Sequence, residues 1–240
     1  MPTSRGLRHA IVLTTLIAGS TARGQELQEL DTDRDAFTPA TRPVAVGHVL
    51  TEASYSFIDN RGTPATNSFP ELLIRRGATE RFEWRLGFNY ESGSGGSVVT
   101  AVEGGEGVEG DELASESNIL YGFKVLVTEQ GGWAPRSSVI IEAFTPLSGD
   151  VWGTEPAITY AFGWELPRAW RLDAAIRYVL ADSGEELFDK WLPSAVLRMP
   201  VTERWEVHAA LDSTVGRQAP RVGFVTAAVF SEKTRASAGT

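Results

Sequence analysis

Histidine beside acid is the first place to look for chemistry in this chain, and His208 stands near Glu206 and Asp212, with serines plentiful elsewhere. A Ser/His/Asp hydrolase needs a nucleophile within hydrogen-bond reach of the histidine and a third group to orient it. No nucleophile-elbow motif accompanies these residues, so His208 reads as a lone histidine on a polar face. The chain has three histidines, His9, His48 and His208, and no cysteine. That is too few nitrogen and sulfur ligands for a histidine- or thiolate-based metal site. The carboxylates between Ser92 and Glu116 offer weak calcium ligation, but a solvated acidic loop rich in Gly and Glu accounts for them. No enzymatic activity, metal or cofactor is expected.

The remaining charges follow a different rule. Glu83, Arg85, Lys124, Glu142, Glu165, Arg171, Asp173 and Arg177 alternate with apolar or small residues at a spacing of two. Successive side chains of a strand point to opposite faces, so this spacing collects the charges on one face. Two roles fit such a face inside a pore. The charges set solute selectivity, as charged rings do in channels, or they pair across neighbouring strands and fill the interior.

The elements that must carry them are strands. In Phe82–Glu91, Phe82, Trp84, Leu86, Phe88 and Tyr90 alternate with Glu83, Arg85, Gly87, Asn89 and Glu91. The same pattern returns around Ile119–Val127, Ser138–Ala143, Ile158–Glu165, Trp170–Tyr178 and Trp205–Asp212, and more weakly in Val49–Ile58. Phe69–Arg76 and Trp191–Met199 each contain a proline, which argues for a strand start. Val222–Phe230 is the last candidate, giving about ten strands and no helix. Short turns (Gly77–Glu80, Pro167–Ala169, Pro200–Glu203) alternate with long connections, of which Ser92–Ala114 is the longest. The connection Glu129–Arg136 is longer than its position predicts. Short turns at one end, long loops at the other, and tryptophans near both ends are the habit of outer-membrane barrels.

The first residues set the compartment. Arg5 and Arg8 precede the apolar run Ala10–Ala18 and then the small residues to Gly24, which is the layout of a secretory signal peptide over 1–24. That run is too short for a membrane helix, which needs roughly 20 apolar residues. A polar, acidic stretch over 25–43 reads as a mobile periplasmic arm, 44–230 as the barrel, and 231–240 as a polar tail. The net charge of −9 excludes a nucleic-acid partner, which needs a basic face.

Periodicity alone does not say which face meets which solvent. A soluble sandwich or lipocalin-like barrel turns the apolar face inward. A membrane barrel turns it outward to lipid and keeps the charges inside. Bulky aromatics on strand after strand would overfill a small closed interior, and segments of about 9–11 residues match a tilted crossing of the bilayer. The expectation is an all-β, antiparallel up-and-down transmembrane β-barrel in the cell outer membrane.

Several stretches resemble a bacterial outer-membrane transporter family associated with phenol meta-pathway degradation. They are Asp33-Arg34-Asp35-Ala36-Phe37-Thr38-Pro39-Ala40-Thr41, Phe57-Ile58-Asp59-Asn60-Arg61-Gly62, Ser68–Gly77, Thr79–Gly87, Trp191-Leu192-Pro193-Ser194 and Thr202-Glu203-Arg204-Trp205. The resemblance covers roughly Asp33 to Phe230. It implies a monomeric barrel of about twelve strands that passes small, aromatic compounds by passive diffusion. Its partners would be membrane lipids, the outer-membrane assembly machinery and a small-molecule solute. Barrels of this kind usually end on an aromatic residue, whereas Phe230 is followed by the polar stretch Ser231–Thr240; the expectation is that closing strands are missing. A non-conducting structural or binding barrel, and a soluble periplasmic β-barrel binding protein, stay open as alternatives.

Overall fold

A computed structural model describes residues 15–16, 32–33, 38–58, 65–93, 114–148, 153–182, 187–201, 205–212, 215–216 and 228–232. The signal-peptide reading, most of the acidic loop after Ser92, the stretch 222–227 and the end of the tail lie largely or wholly outside these residues, as does the His208 side chain.

Nine strands form one antiparallel sheet in chain order. They are β1 (Val49–Ile58), β2 (Thr66–Thr79), β3 (Phe82–Gly93), β4 (Ala114–Thr128), β5 (Arg136–Ser148), β6 (Glu155–Glu165), β7 (Arg171–Asp182), β8 (Leu187–Pro200) and β9 (Trp205–Asp212). Each pairs with the next, so the path is up-and-down throughout. Short segments extend it: Thr15–Leu16 lies along β1, Val215–Gly216 along β8, and Ala228–Glu232 along β9. Among the described residues, no pairing joins the two ends of this ladder. The last ladder places Ser231 and Glu232 opposite Glu206 and Trp205, two residues into the stretch expected to be tail.

The alternation of types becomes an alternation of burial. Along β3 the side chains run half-buried, buried, exposed, buried, exposed, buried from Phe82 to Gly87. The buried set is the polar one, Glu83, Arg85, Asn89 and Glu91, and the exposed set is Trp84, Leu86 and Tyr90. Tyr121, Ile141, Ile158, Tyr160 and Ile176 repeat the exposed apolar face on β4 to β7. A flat, single-layer sheet would leave both faces open. This one buries the same face from β1 to β8.

Two expectations about proline change. Pro70 and Pro193 lie inside β2 and β8 rather than at their starts. Pro70 falls in the register shift between Ser68 and Glu71, and a bulge is where a strand tolerates a missing N–H. Pro193 falls in the break between the pairing of Trp191 with Val215 and that of Ser194 with Asp212.

The over-long connection between β4 and β5 also has a structural account. Gly131 and Ala134 bridge back on each other around Gly132 (φ 59°). The loop then leans on the end of β6. Gln130 Nε2 donates to the Glu165 carbonyl (3.1 Å), the Glu165 N–H donates to Gln130 Oε1 (2.7 Å), and Trp164 Nε1 donates to the Trp133 carbonyl (3.0 Å).

Candidate functional site: a buried charge network

The polar parity of β1 to β5 places Glu52, Arg75, Glu83, Arg85, Lys124 and Glu142 on the buried face, each at most 7% exposed. Moving an isolated ion out of water costs several kcal/mol even after relaxation, so such groups persist only as partners of one another. The fork of Arg75 spans Glu83, with Nε to Oε1 at 2.9 Å and Nη2 to Oε2 at 3.1 Å. Its Nη1 reaches Glu52 Oε1 at 3.2 Å. Arg85 Nε donates to Glu142 Oε1 at 2.7 Å and Nη1 to Glu83 Oε1 at 2.9 Å.

The Arg85–Glu142 contact passes over β4, where Gly122 stands between them in the register. A Cβ on Gly122 would sit 2.2 Å from the Ile141 carbonyl oxygen and 2.9 Å from Glu142 Cγ. Absence of a side chain there lets a β3 cation meet a β5 carboxylate. Gly87 plays the same part between Leu73 and Leu120, whose Cβ lies 3.2 Å from where a side chain would start.

The network has a member that alternation does not reveal. Asp33, ahead of the sheet in the chain, inserts its carboxylate among the cations of three consecutive strands. It bonds Lys124 Nζ at 3.0 Å, lies 3.3 Å from Arg75 Nη1, and accepts from Arg85 Nη1. Burial alone would raise its pKa; the three cations outweigh that and hold the carboxyl far below the ordinary carboxylate range. Around it the backbone is tied down as well. The Asp33 N–H donates to Glu52 Oε2 (2.8 Å), Lys124 Nζ to the Ala40 carbonyl (2.9 Å), and the Val44 N–H to Glu83 Oε2 (2.7 Å).

Thr38, Ala40 and Thr41 are accordingly buried. The chain then crosses β2 at Gly77, whose Cβ would fall 2.2 Å from the Val44 carbonyl oxygen; Gly47 and Gly77 exchange backbone bonds with their neighbours there. Within the 25–43 stretch expected as a mobile periplasmic arm, the described residues are 32–33 and 38–43. They are docked on the charged face, because unpaired carboxylate and amide groups find there the partners that water would otherwise supply.

The eight charged residues singled out from sequence divide four ways. Glu83, Arg85, Lys124 and Glu142 are brought together in the network. Asp173 is buried elsewhere and pairs with Arg198 Nη1 at 2.6 Å. Glu165 and Arg171 lie at the short-turn rim, where Glu165 meets Arg42 and Arg136 (3.1 Å). A pocket of about 300 Å³ remains there between the docked segment and β6–β7. Arg177 joins no ion pair among the described residues and lies over the ring of Phe144 instead.

Sequence reasoning missed Asp33, Glu52, Arg75 and Arg198. Arg75 was recoverable: Glu71, Leu73, Arg75 and Gly77 keep one parity once Pro70 is taken as a bulge rather than a strand start. Asp33 had no such signal, since one aspartate among Asp31, Asp33 and Asp35 looks like any solvated acidic run.

No family model matches the chain, and no curated protein or solved structure is detectably similar to it.

Proposed function

We propose that this chain is an outer-membrane β-barrel whose apolar face meets lipid and whose charged face encloses a lumen for small solutes. The observation that carries the reading is the inverted burial. Arg75, Glu83 and Lys124 are fully buried while Trp84 (55%) and Leu86 (48%) on the same stretch of sheet stand exposed. In water this arrangement wastes the hydrophobic effect and desolvates ions; in a bilayer it places each face in its matching solvent. Burial of one face along the whole ladder supports closure, since an open edge in lipid would leave backbone groups unpaired at several kcal/mol each. The family resemblance adds the solute class, small aromatic compounds crossing by passive diffusion.

A second reading is favoured by the docked segment. Asp33 and Thr38–Val44 occupy the charged face where a passage would run, which fits a barrel closed in this state and serving as a binding or structural element. Planar-bilayer recording separates the two. Protein folded in detergent and showing heat-modifiable migration should give conductance steps if the passage opens. Folded protein without any conductance sinks the channel reading and leaves the closed barrel. Quantitative recovery from the periplasm without detergent sinks both.

A further inference from the structure

The cations on the inner face of the sheet are treated unequally. Arg75, Arg85, Lys124 and Arg198 each have a carboxylate oxygen within 3.0 Å. Arg177 does not share this arrangement. Its guanidinium carbon stands 4.8 Å from the centre of the Phe144 ring. Its Nε and Nη2 are buried and, among the described residues, have no hydrogen-bond partner.

These two nitrogens form one edge of the guanidinium, with parallel N–H bonds spaced to match the two oxygens of a carboxylate. A buried donor left unsatisfied costs roughly 1–3 kcal/mol, more when charged, so an edge of this kind is a strong acceptor-seeking surface. The ring fixes its plane through a cation–π contact. Glu142, on the strand bearing Phe144, gives an oxygen to Arg85 at 2.7 Å.

The surroundings state the rest of the ligand. Phe144 belongs to an apolar patch on the otherwise charged face, made with Leu73, Leu120, Ala157 and Val179 and flanked by Leu192. A charged fork beside an apolar floor matches a small molecule with a carboxylate at one end and an apolar body.

We propose that Arg177 and the Phe144 patch form a binding site for small carboxylates with an apolar body, Arg177 taking both carboxylate oxygens through Nε and Nη2. Part of its appeal rests on the barrel reading, which gives such a solute its route, but the site itself is testable without conductance. The probe is benzoate, with benzamide as its uncharged control, observed by ligand NMR against full-length protein folded in detergent. Benzoate is expected to bind and benzamide to bind at least tenfold more weakly. Arg177→Gln should lose benzoate by at least tenfold while keeping heat-modifiable migration, and Arg177→Lys should recover only part. Equal binding of the two probes to wild type, which needs no variant, overturns the site, as does undiminished benzoate binding by a folded Arg177→Gln protein or no binding at all. Benzoate binding without conductance would sink the channel reading alone; conductance without benzoate binding would sink this site alone.

Discussion

Two faces of one strand show how differently the same backbone is used. On β3, Glu83 and Arg85 face the network, where each hydrogen bond has a named partner and a fixed distance. One residue away, Trp84 and Leu86 face outward. There the contacts are aromatic and loosely specified, Phe82 stacking on Phe123 at 5.5 Å and meeting Trp84 edge-on at 4.8 Å. The buried face is held by direction and charge, so it tolerates almost no change of type. The outer face is held by solvent matching, so it tolerates any residue of the right hydropathy.

Substitutions can break this contrast, beginning with the largest effect. Glu83→Ala strips carboxylate oxygens from Arg75, Arg85 and Lys124 at once, and removing one partner of a buried pair costs about 3–5 kcal/mol. Urea titration of the folded protein in lipid should show the midpoint falling; an unchanged midpoint would mean that water fills the face and the network is weak. On the opposite face, Leu86→Lys should cost about 2–4 kcal/mol in a bilayer. The same change on a sheet that faces water would be near neutral, so this one measurement also tests the lipid assignment.

Asp33→Asn should leave the sheet folded and free the docked segment. Protease cleavage ahead of Val44 should become faster, and open-channel events, where the barrel conducts, more frequent. Acid should do the same. The folded carboxyl is held below its unfolded value of about 3.9, so its contribution to docking is complete above about pH 4. It is lost as pH falls further below that value and the carboxyl takes up a proton. Docking that stays intact in the Asn variant at every pH would remove Asp33 from the latch.

The smallest effect concerns the short turn between β6 and β7. Ala169 sits there at φ 58°, a conformation that costs an L-residue roughly 1–2 kcal/mol. Ala169→Gly should raise the unfolding midpoint slightly; a lowered midpoint would show that the alanine methyl packs usefully at the rim.

What the sequence revealed follows from where the period of two reaches. Strands β3 to β7 were legible because each side chain there is sorted by face, and Glu83, Arg85, Lys124 and Glu142 came with them. Arg75 was hidden behind the bulge at Pro70, which shifts the parity that would have marked it. The docking of Asp33 was invisible for a deeper reason. It depends on cations from three strands meeting at one point, and no local pattern in the 25–43 stretch encodes that convergence. Glu165 and Arg171 show the limit of that signal, for parity assigns a face and says nothing about how near the rim a residue falls.

The contact between Asp33 and Lys124 spans 91 residues, and that separation fixes an order of events. The segment around Asp33 leaves the ribosome before any of the nine strands, yet its seat does not exist until β2, β3 and β4 stand side by side. That segment therefore settles only after strands that follow it in the chain. Its arrival reports that the sheet behind it has been assembled in register, because a strand slipped by one residue would present apolar side chains where the aspartate needs cations.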